Sequence, residues 1–352
     1  MDTPLDALLT IDLSALAANY RTLRALAHGA EVAPVVKADG YGLGAAPVAR
    51  RLVKEGARTF FVARIAEGVA LRAALGAGPV IHVLDGCPAG AAPALAAAGL
   101  SPVLNSPAQV DAWRPHAPGS LVLMLDTGLN RLGLTLAEAA DLKGAPVKWV
   151  MSHLACADRP ADPMNAAQRV RFEAMAALFP EAKRSLAASD GLFLGEGYTC
   201  DLVRTGICLY GGGPHGKPDP RVLPVATFEA PILQVRHLQP GETIGYGAAF
   251  TAGQAMTVAV VAAGYADGLL RAASPKAYAS FGGVRCAMLG RISMDLTVFD
   301  VTDQSGAKPG AMVQLIGPDA PVDEIATAGG TIAYELLTRL GARAKRRYIG
   351  EA

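Results

Sequence analysis

Between residues 32 and 211 an apolar, β-type run is followed again and again by a helix-length segment. The β-type runs fall at 32–37, 59–63, 79–84, 100–105, 121–125, 148–153, 183–189 and 202–209. Segments between them, such as 45–56, 64–76 and 165–179, are rich in Ala and Leu and carry helical periodicity. Strands that alternate with helices predict a parallel sheet, and eight such units predict a (β/α)8 TIM-type barrel. A doubly wound sheet is the structural alternative, but no G-x-G-x-x-G fingerprint follows the first run. In a barrel, residues at the C-terminal strand ends share one mouth. Lys37 closes the first run, His153 the sixth and Ser189 the seventh. Arg131 follows the fifth, and Gly206 and Ile207 lie in the region of the eighth.

After about residue 225 the texture changes. Short β-type runs at 230–238, 256–263, 284–289, 296–300 and 312–316 are separated by turns bearing Gly and Pro, and helical periodicity nearly vanishes. This predicts a mainly β C-terminal domain. The expected division is a barrel over 14–225 and a β domain over 226–352. Leu8–Leu13 reads as a further strand, with Ser14 capping the first helix. A chain of 352 residues, 51% of them hydrophobic, suffices for two cores.

Charge excludes some partners. Only 18% of residues are charged and the formal net charge is +1, with no basic tract, so nucleic acid is not an expected ligand. No apolar run reaches membrane-spanning length, and Met1–Pro4 lacks the basic start of a signal peptide. Five widely spaced cysteines, an odd number, suit the reduced thiols of a cytoplasm. No Cys–His spacing suggests a metal.

The run Val35-Val36-Lys37-Ala38-Asp39-Gly40-Tyr41-Gly42-Leu43-Gly44 carries the sharpest chemical signal. A lysine at the inner end of a buried strand loses solvation, which lowers its pKa and makes the amine nucleophilic toward an aldehyde. The glycines let backbone N–H groups approach a phosphate. Taken alone, the run equally describes a lysine snorkelling from a strand end beside an ordinary loop.

The run also resembles the cofactor-lysine signature of bacterial alanine racemases. The resemblance continues, in family order, through Asp126-Thr127-Gly128-Leu129-Asn130-Arg131-Leu132-Gly133 and Ser152-His153-Leu154-Ala155 with Asp158. It extends to Val203-Arg204-Thr205-Gly206-Ile207, Leu209-Tyr210-Gly211 and Gly245-Tyr246-Gly247. Its last matches are Gly264-Tyr265-Ala266-Asp267-Gly268 and Gly290-Arg291-Ile292-Ser293-Met294-Asp295.

The resemblance implies that Lys37 carries pyridoxal 5′-phosphate and that L- and D-alanine are interconverted by two bases, Lys37 and Tyr246. Arg204 would face the pyridine nitrogen. Arginine keeps its proton, so it donates a hydrogen bond without protonating the ring, and the weaker electron sink favours racemisation over transamination. His153 would orient Arg204 and link it to Tyr246. Arg131 would grip the substrate carboxylate with its planar fork. Tyr41, Ser189 and the backbone N–H groups of Gly206 and Ile207 would hold the phosphate. Tyr246, Tyr265 and Met294 would come from the partner subunit of a homodimer with composite sites. In this family the first strand joins the C-terminal domain. The implied role is D-alanine supply for peptidoglycan. The competing readings are a broader amino-acid racemase, a decarboxylase of the same architecture, and a non-enzymatic cofactor carrier. The decarboxylases place an acid at the pyridine nitrogen, against Arg204, and the carriers have the barrel alone.

The sequence departs from the family pattern in four places. Met124 replaces a lysine that is carbamylated in many relatives and positions the substrate arginine. Ala188 replaces the Asn before the phosphate-site serine, and Leu43 a histidine. Ala342 stands where some relatives place a gate-lining tyrosine, with Tyr334 and Tyr348 nearby but not aligned.

Overall fold

The computed structural model describes residues 6–116 and 121–350. Ala17–Leu209 form one compact unit, and the described residues before and after it form another. Among the described residues no helix is long and apolar enough to cross a membrane.

The chain opens on β1 (Leu8–Asp12) and turns directly into the helix Leu13–Leu26. Asp12, not Ser14, caps that helix: its Oδ1 accepts from the amides of Ser14 at 2.8 Å and Ala15 at 3.0 Å. Ser14 falls inside the first turn, because the strand ends one residue earlier than its apolar pattern suggests.

Eight strands follow: β2 (Glu31–Pro34), β3 (Thr59–Val62), β4 (Val80–Val83), β5 (Ser101–Pro102), β6 (Leu121–Met124), β7 (Val147–Met151), β8 (Lys183–Ser185) and β9 (Leu202–Thr205). All pair in parallel. β3-β4-β5 and β6-β7-β8 form ladders, and β2 pairs with β9. The bridges Val35–Phe61, Leu104–Leu123 and Ala188–Arg204 join these pieces into a closed ring. This is the barrel that the alternating pattern predicts. Its core is close-packed, with Phe60, Phe61, Leu123, Val150 and Val203 sealed from solvent or nearly so. The strands are shorter than the apolar runs that announce them, because the last residues of each run turn out of the ladder into the mouth. Lys37 and His153 both lie past their strand ends, and Ser189 opens a short helix, Ser189–Leu192.

The other unit is a β barrel of different construction. β10 (Ala226–Leu238) is a 13-residue strand. With β11 (Thr243–Ile244), β12 (Phe250–Thr251), β13 (Met256–Val261), β14 (Tyr278–Phe281), β15 (Val284–Leu289), β16 (Thr297–Asp300) and β17 (Met312–Ile316) it supplies most of the fold. The order β13-β16-β15-β14-β17-β10 closes on itself because β10 also pairs with β13. Register shifts between Phe228 and Glu229 and between Ile232 and Gln234 let one long strand serve two neighbours. The first half of β10 pairs antiparallel with β1, and β1 in turn pairs in parallel with β18 (Lys345–Ile349). Two helices, Val322–Ala328 and Ala333–Arg339, interrupt the β texture. At seven residues each they are too short to show a period in the sequence.

One buried group in the parallel barrel is costly. His82, on β4, is 3% exposed and stacks on Phe61 with ring centroids 4.8 Å apart. Its Nδ1 has no hydrogen-bond partner. Burial pushes the imidazole down from 6.5 to about 4, partly opposed by a backbone hydrogen bond to Ser101 and reinforced by Lys148. A folded-state pKa below the unfolded value means stability is intact above pH 6.5 and is lost as the pH falls toward 4, by roughly 3 kcal/mol in full. His82→Phe should therefore flatten the acid side of the stability profile. Urea unfolding midpoints at pH 7 and pH 4.5 should fall less in the variant than in the parent, and equal falls would refute the assignment.

Candidate active site

The loop after β2 is a left-handed turn. Ala38, Asp39, Gly40 and Tyr41 have φ of 51°, 52°, 62° and 57°. Each non-glycine residue in that region costs about 1–2 kcal/mol. Backbone bonds offset part of this: Gly40 N–H to Val36 O at 2.9 Å, Gly42 to Ala38 and Gly44 to Asp39, both at 2.8 Å. Two side chains close the turn. Asp39 Oδ1 accepts from Ala45 N at 2.9 Å, and Glu67 Oε1 accepts from Ala38 N at 2.7 Å. Gly40 is required for space as well as φ, since a Cβ there would meet Ala45 backbone at 3.1 Å. Lys37 at the turn's start is half-buried, and among the described residues it has no ion pair or hydrogen bond. Burial holds its amine below the usual lysine range. Arg131 pushes in the same direction, and Glu67 and Asp85 oppose.

Tyr41, at the other end of the turn, is buried, and burial raises its phenol so that it keeps its proton. Its ring and hydroxyl lie against Gly206, where a Cβ would overlap the hydroxyl and stand 2.8 Å from Cζ. Ser189 Oγ accepts from Gly206 N–H at 2.9 Å. Tyr41, Ser189 and Gly206 thus meet from three loops, and the space over Gly206 exists only because it lacks a side chain. Ile207 follows at the start of the 3-10 turn Ile207–Leu209.

Arg204, on β9, is 4% exposed, and the barrel's own backbone solvates it. Nη1 donates to Ser185 O at 3.0 Å and Ser185 Oγ at 2.5 Å; Nη2 donates to Ser152 O and, at 3.2 Å, to Leu186 O. Burial lowers the guanidinium to about 10, so it stays protonated at neutral pH. Nη2 also lies 3.5 Å from His153 Nδ1. Arginine has no acceptor, so Nδ1 accepts and the His153 proton sits on Nε2. Burial, then Arg204, Arg131 and Lys37, push His153 down to about 3. Arg204, Arg131 and Lys37 are therefore all near enough for their charges to act on His153, and Arg131 also acts on Lys37. The Arg204 Nε–H makes no hydrogen bond among the described residues.

Arg131 is exposed on a loop that Asp126 shapes: Asp126 Oδ1 accepts from Gly128 N at 2.8 Å and Asn130 N at 3.1 Å. Asn130 takes a positive φ of 55°. At Gly133 a Cβ would stand 2.7 Å from Asp126 N. Backbone geometry fixes the base of this loop where Met124 offers no charge. Gln168, fully buried, bolts the loop to its neighbour: Nε2 donates to Thr127 Oγ1 at 3.2 Å and His153 O at 3.0 Å, and Oε1 accepts from Ala155 N at 2.7 Å.

Tyr246, Tyr265 and Met294 stand on the other unit. Tyr246 is at the tip of the β11–β12 hairpin and is 75% exposed. Gly245 and Gly247, with φ of 71° and 70°, make a tip that turns the ring outward. Beneath it lies an apolar cluster of Leu238, Ile244, Ala252, Met256, Val258 and Leu289. Tyr265 N donates to Ser293 O at 3.0 Å and Ala266 N to Met294 O at 2.9 Å, so Tyr265 and Met294 share one support. Both are exposed, at 42% and 54%. Arg343 fastens this support by pairing with Asp295 at 2.8 Å and Asp267 at 3.4 Å.

Sequence reasoning assigned no role to Glu67, Asp126, Gln168 or Arg343. Asp126 had a signal, an Asx-turn acid before Thr-Gly. Glu67 had another, an acid three residues into a helix. Gln168 and Arg343 act over long sequence separations and had none.

Comparison with known proteins places the fold. The family "alanine racemase, N-terminal domain" matches residues 11–214, and "alanine racemase, C-terminal domain" matches residues 225–348. A catabolic alanine racemase of Mesorhizobium japonicum is 46% identical over 98% of this chain and 93% of its own. An alanine racemase of a Jannaschia species is 47% identical over 96% and 97%. The crystal structure of alanine racemase from Bartonella henselae with covalently bound pyridoxal phosphate superposes with a TM-score of 0.91, at 38% identity and 98% and 99% coverage. That of the biosynthetic alanine racemase from Pseudomonas aeruginosa gives 0.90, at 32% identity and 98% and 100% coverage. Fold and site thus define a racemase, an isomerase built on a parallel barrel and a β domain. The chain belongs to the alanine racemase family.

The packing of Tyr41 on Gly206 gives a direct test. Gly206→Ala should displace the Tyr41 ring and lower stability by about 1–3 kcal/mol. Adding Tyr41→Phe, which removes the overlapping oxygen, should recover part of that loss. Denaturant unfolding of the two single variants and the double variant measures the coupling, and strict additivity would mean that the two residues do not meet.

Proposed function

We propose that this chain interconverts L- and D-alanine with pyridoxal 5′-phosphate bound covalently at Lys37 in a homodimer. The observation that carries the reading is the gathering of Lys37, Arg131, His153 and Arg204 at one barrel mouth, where burial and neighbouring positive charge keep His153 neutral and hold the Lys37 amine below the usual lysine range. Such a mouth suits anionic ligands: the cofactor's phosphate and the substrate's carboxylate. The Tyr41 hydroxyl, packed over Gly206, and the Ser189 hydroxyl, bonded to the Gly206 amide, stand together where the phosphate would bind, with the Gly206 and Ile207 amides beside them. The uncommitted Arg204 Nε–H suits a neutral ring nitrogen. Asp126 holds the loop from which Arg131 reaches the carboxylate.

When bound, the cofactor supplies an electron sink for the charge left on the α-carbon. The chain's residues decide where protons go. A Lys37 amine with lowered proton affinity accepts a proton on its own face of the α-carbon. Arg204, protonated at neutral pH and fixed by three carbonyl oxygens and a hydroxyl, donates a hydrogen bond and passes no proton. His153 accepts from Arg204 through Nδ1 and presents its Nε2 proton on the other side. Tyr246 of the partner subunit serves the opposite face of the substrate, and the partner's Tyr265 and Met294 line the pocket. Their exposure in this chain, on a common support tied by Arg343, favours contribution to a neighbouring copy. Both directions of the reaction use the same residues, and mass action sets the direction. The names of relatives include both catabolic and biosynthetic racemases. Supply of D-alanine for peptidoglycan is the role we propose, and a deletion strain that grows without added D-alanine would refute it.

The purified protein loaded with pyridoxal 5′-phosphate should convert L-alanine into the racemate, followed by the decay of circular dichroism. Lys37→Ala and Tyr246→Phe should each lose about 10²–10⁴-fold in rate. Mixing the two inactive variants should restore activity, because one site of each heterodimer regains both bases. Variants that exchange subunits by mass spectrometry yet stay inactive together would place both bases on one chain.

A further inference from the structure

The left-handed turn that carries Lys37 does not hold itself. Its first amide, Ala38 N–H, points out of the turn and donates to Glu67 Oε1 at 2.7 Å. The same carboxylate accepts through Oε2 from Ala63 N at 2.8 Å and Arg64 N at 3.0 Å. Glu67 lies in the first turn of the helix Ile65–Leu75, in the loop unit that follows β3. One half-buried carboxylate thus spans two adjacent βα loops with three charge-assisted bonds. The strands below are already registered there, with Val36 N–H donating to Phe61 O at 2.8 Å. Ala38 is the residue after Lys37 and the first in the left-handed region. Its amide orientation therefore sets the direction in which Lys37 leaves the backbone.

We propose that Glu67 is a positioning residue that holds the left-handed turn and so aims the Lys37 amine into the barrel mouth. The inference rests on the functional reading above only for its effect on turnover. Its effect on the turn itself is independent of that reading. A plain helix cap would need only the Oε2 half of the contacts. The Oε1 bond to a neighbouring loop is what a cap does not require. Charge supports the same role. Of the groups that act on Lys37, Arg131 lowers its proton affinity while Glu67 and Asp85 raise it, and His153 is neutral.

Two variants separate reach from charge. Glu67→Gln keeps the length and one acceptor for the Ala63 and Arg64 amides, but turns a donor toward Ala38. Glu67→Asp keeps the charge and loses the reach. In both, amide exchange across Lys37–Leu43 in the full-length chain should quicken by about tenfold or more, read by hydrogen exchange and mass spectrometry. In Glu67→Gln alone, the pH midpoint for acylation of Lys37, measured on cofactor-free protein, should shift downward. For both, kcat for alanine should fall about tenfold to a hundredfold with little change in KM. Unchanged exchange over 37–43 in Glu67→Asp, or an unmoved acylation midpoint with unchanged kcat in Glu67→Gln, would overturn the proposal and leave Glu67 a helix cap. Variants that show the exchange difference, beside a parent protein that does not racemise alanine, would refute the functional reading instead.

Discussion

The structure depends first on solvating a guanidinium where there is no water. Arg204 projects from β9 among the barrel strands, and an uncompensated charge there would be prohibitive. It survives because the ends of β7 and β8 turn carbonyl oxygens toward it, from Ser152, Ser185 and Leu186, together with the Ser185 hydroxyl. Meeting this need leaves those two strand ends with little freedom. The same requirement orders the charges around it. Burial disfavours a charge on His153, and repulsion by Arg204 adds to it, so the imidazole stays neutral and offers Nδ1. Lys37 loses proton affinity to burial and to Arg131. One fixed cation thus neighbours an acceptor and a poised amine.

Much of this layout was legible in the sequence because it rests on period. Strand-type runs separated by helical segments give the parallel barrel, and the loss of helical period after residue 225 gives a mainly β unit. Period does not mark where a strand stops. The run ending at Lys37 stays apolar through Val36, yet pairing ends at Pro34, apart from one bridge at Val35. Local rules misplaced the first cap too, because Asp12 and Ser14 are both good caps and only the strand's end chooses between them. The closure of the β unit was not legible. It depends on a single strand, β10, changing partners at its bulges.

The site was legible where a residue type announces its chemistry and opaque where a residue acts through another's backbone. Lysine, arginine and histidine near strand ends draw notice from sequence alone. Glu67, Asp126 and Gln168 read as ordinary polar residues of helices and loops. Each uses its side chain to accept from, or donate to, the main chain of a loop bearing a charged group. The Arg131 loop is accordingly held without a charge at Met124. The base of the Arg131 loop is set by Asp126, by the left-handed Asn130 and by Gly133 packed on the Asp126 amide.

The two units hold their polar side chains by different means. The parallel barrel holds its groups by burial, so their protonation is dominated by desolvation and mutual repulsion. Tyr246 is held by the opposite means: a short hairpin, a two-glycine tip and an apolar cluster below that anchors the hairpin while leaving the ring in solvent. A ring placed that way is fixed in direction while staying open to solvent. The barrel fixes its charged groups by enclosing them, and the β unit fixes an exposed ring by packing what lies beneath it.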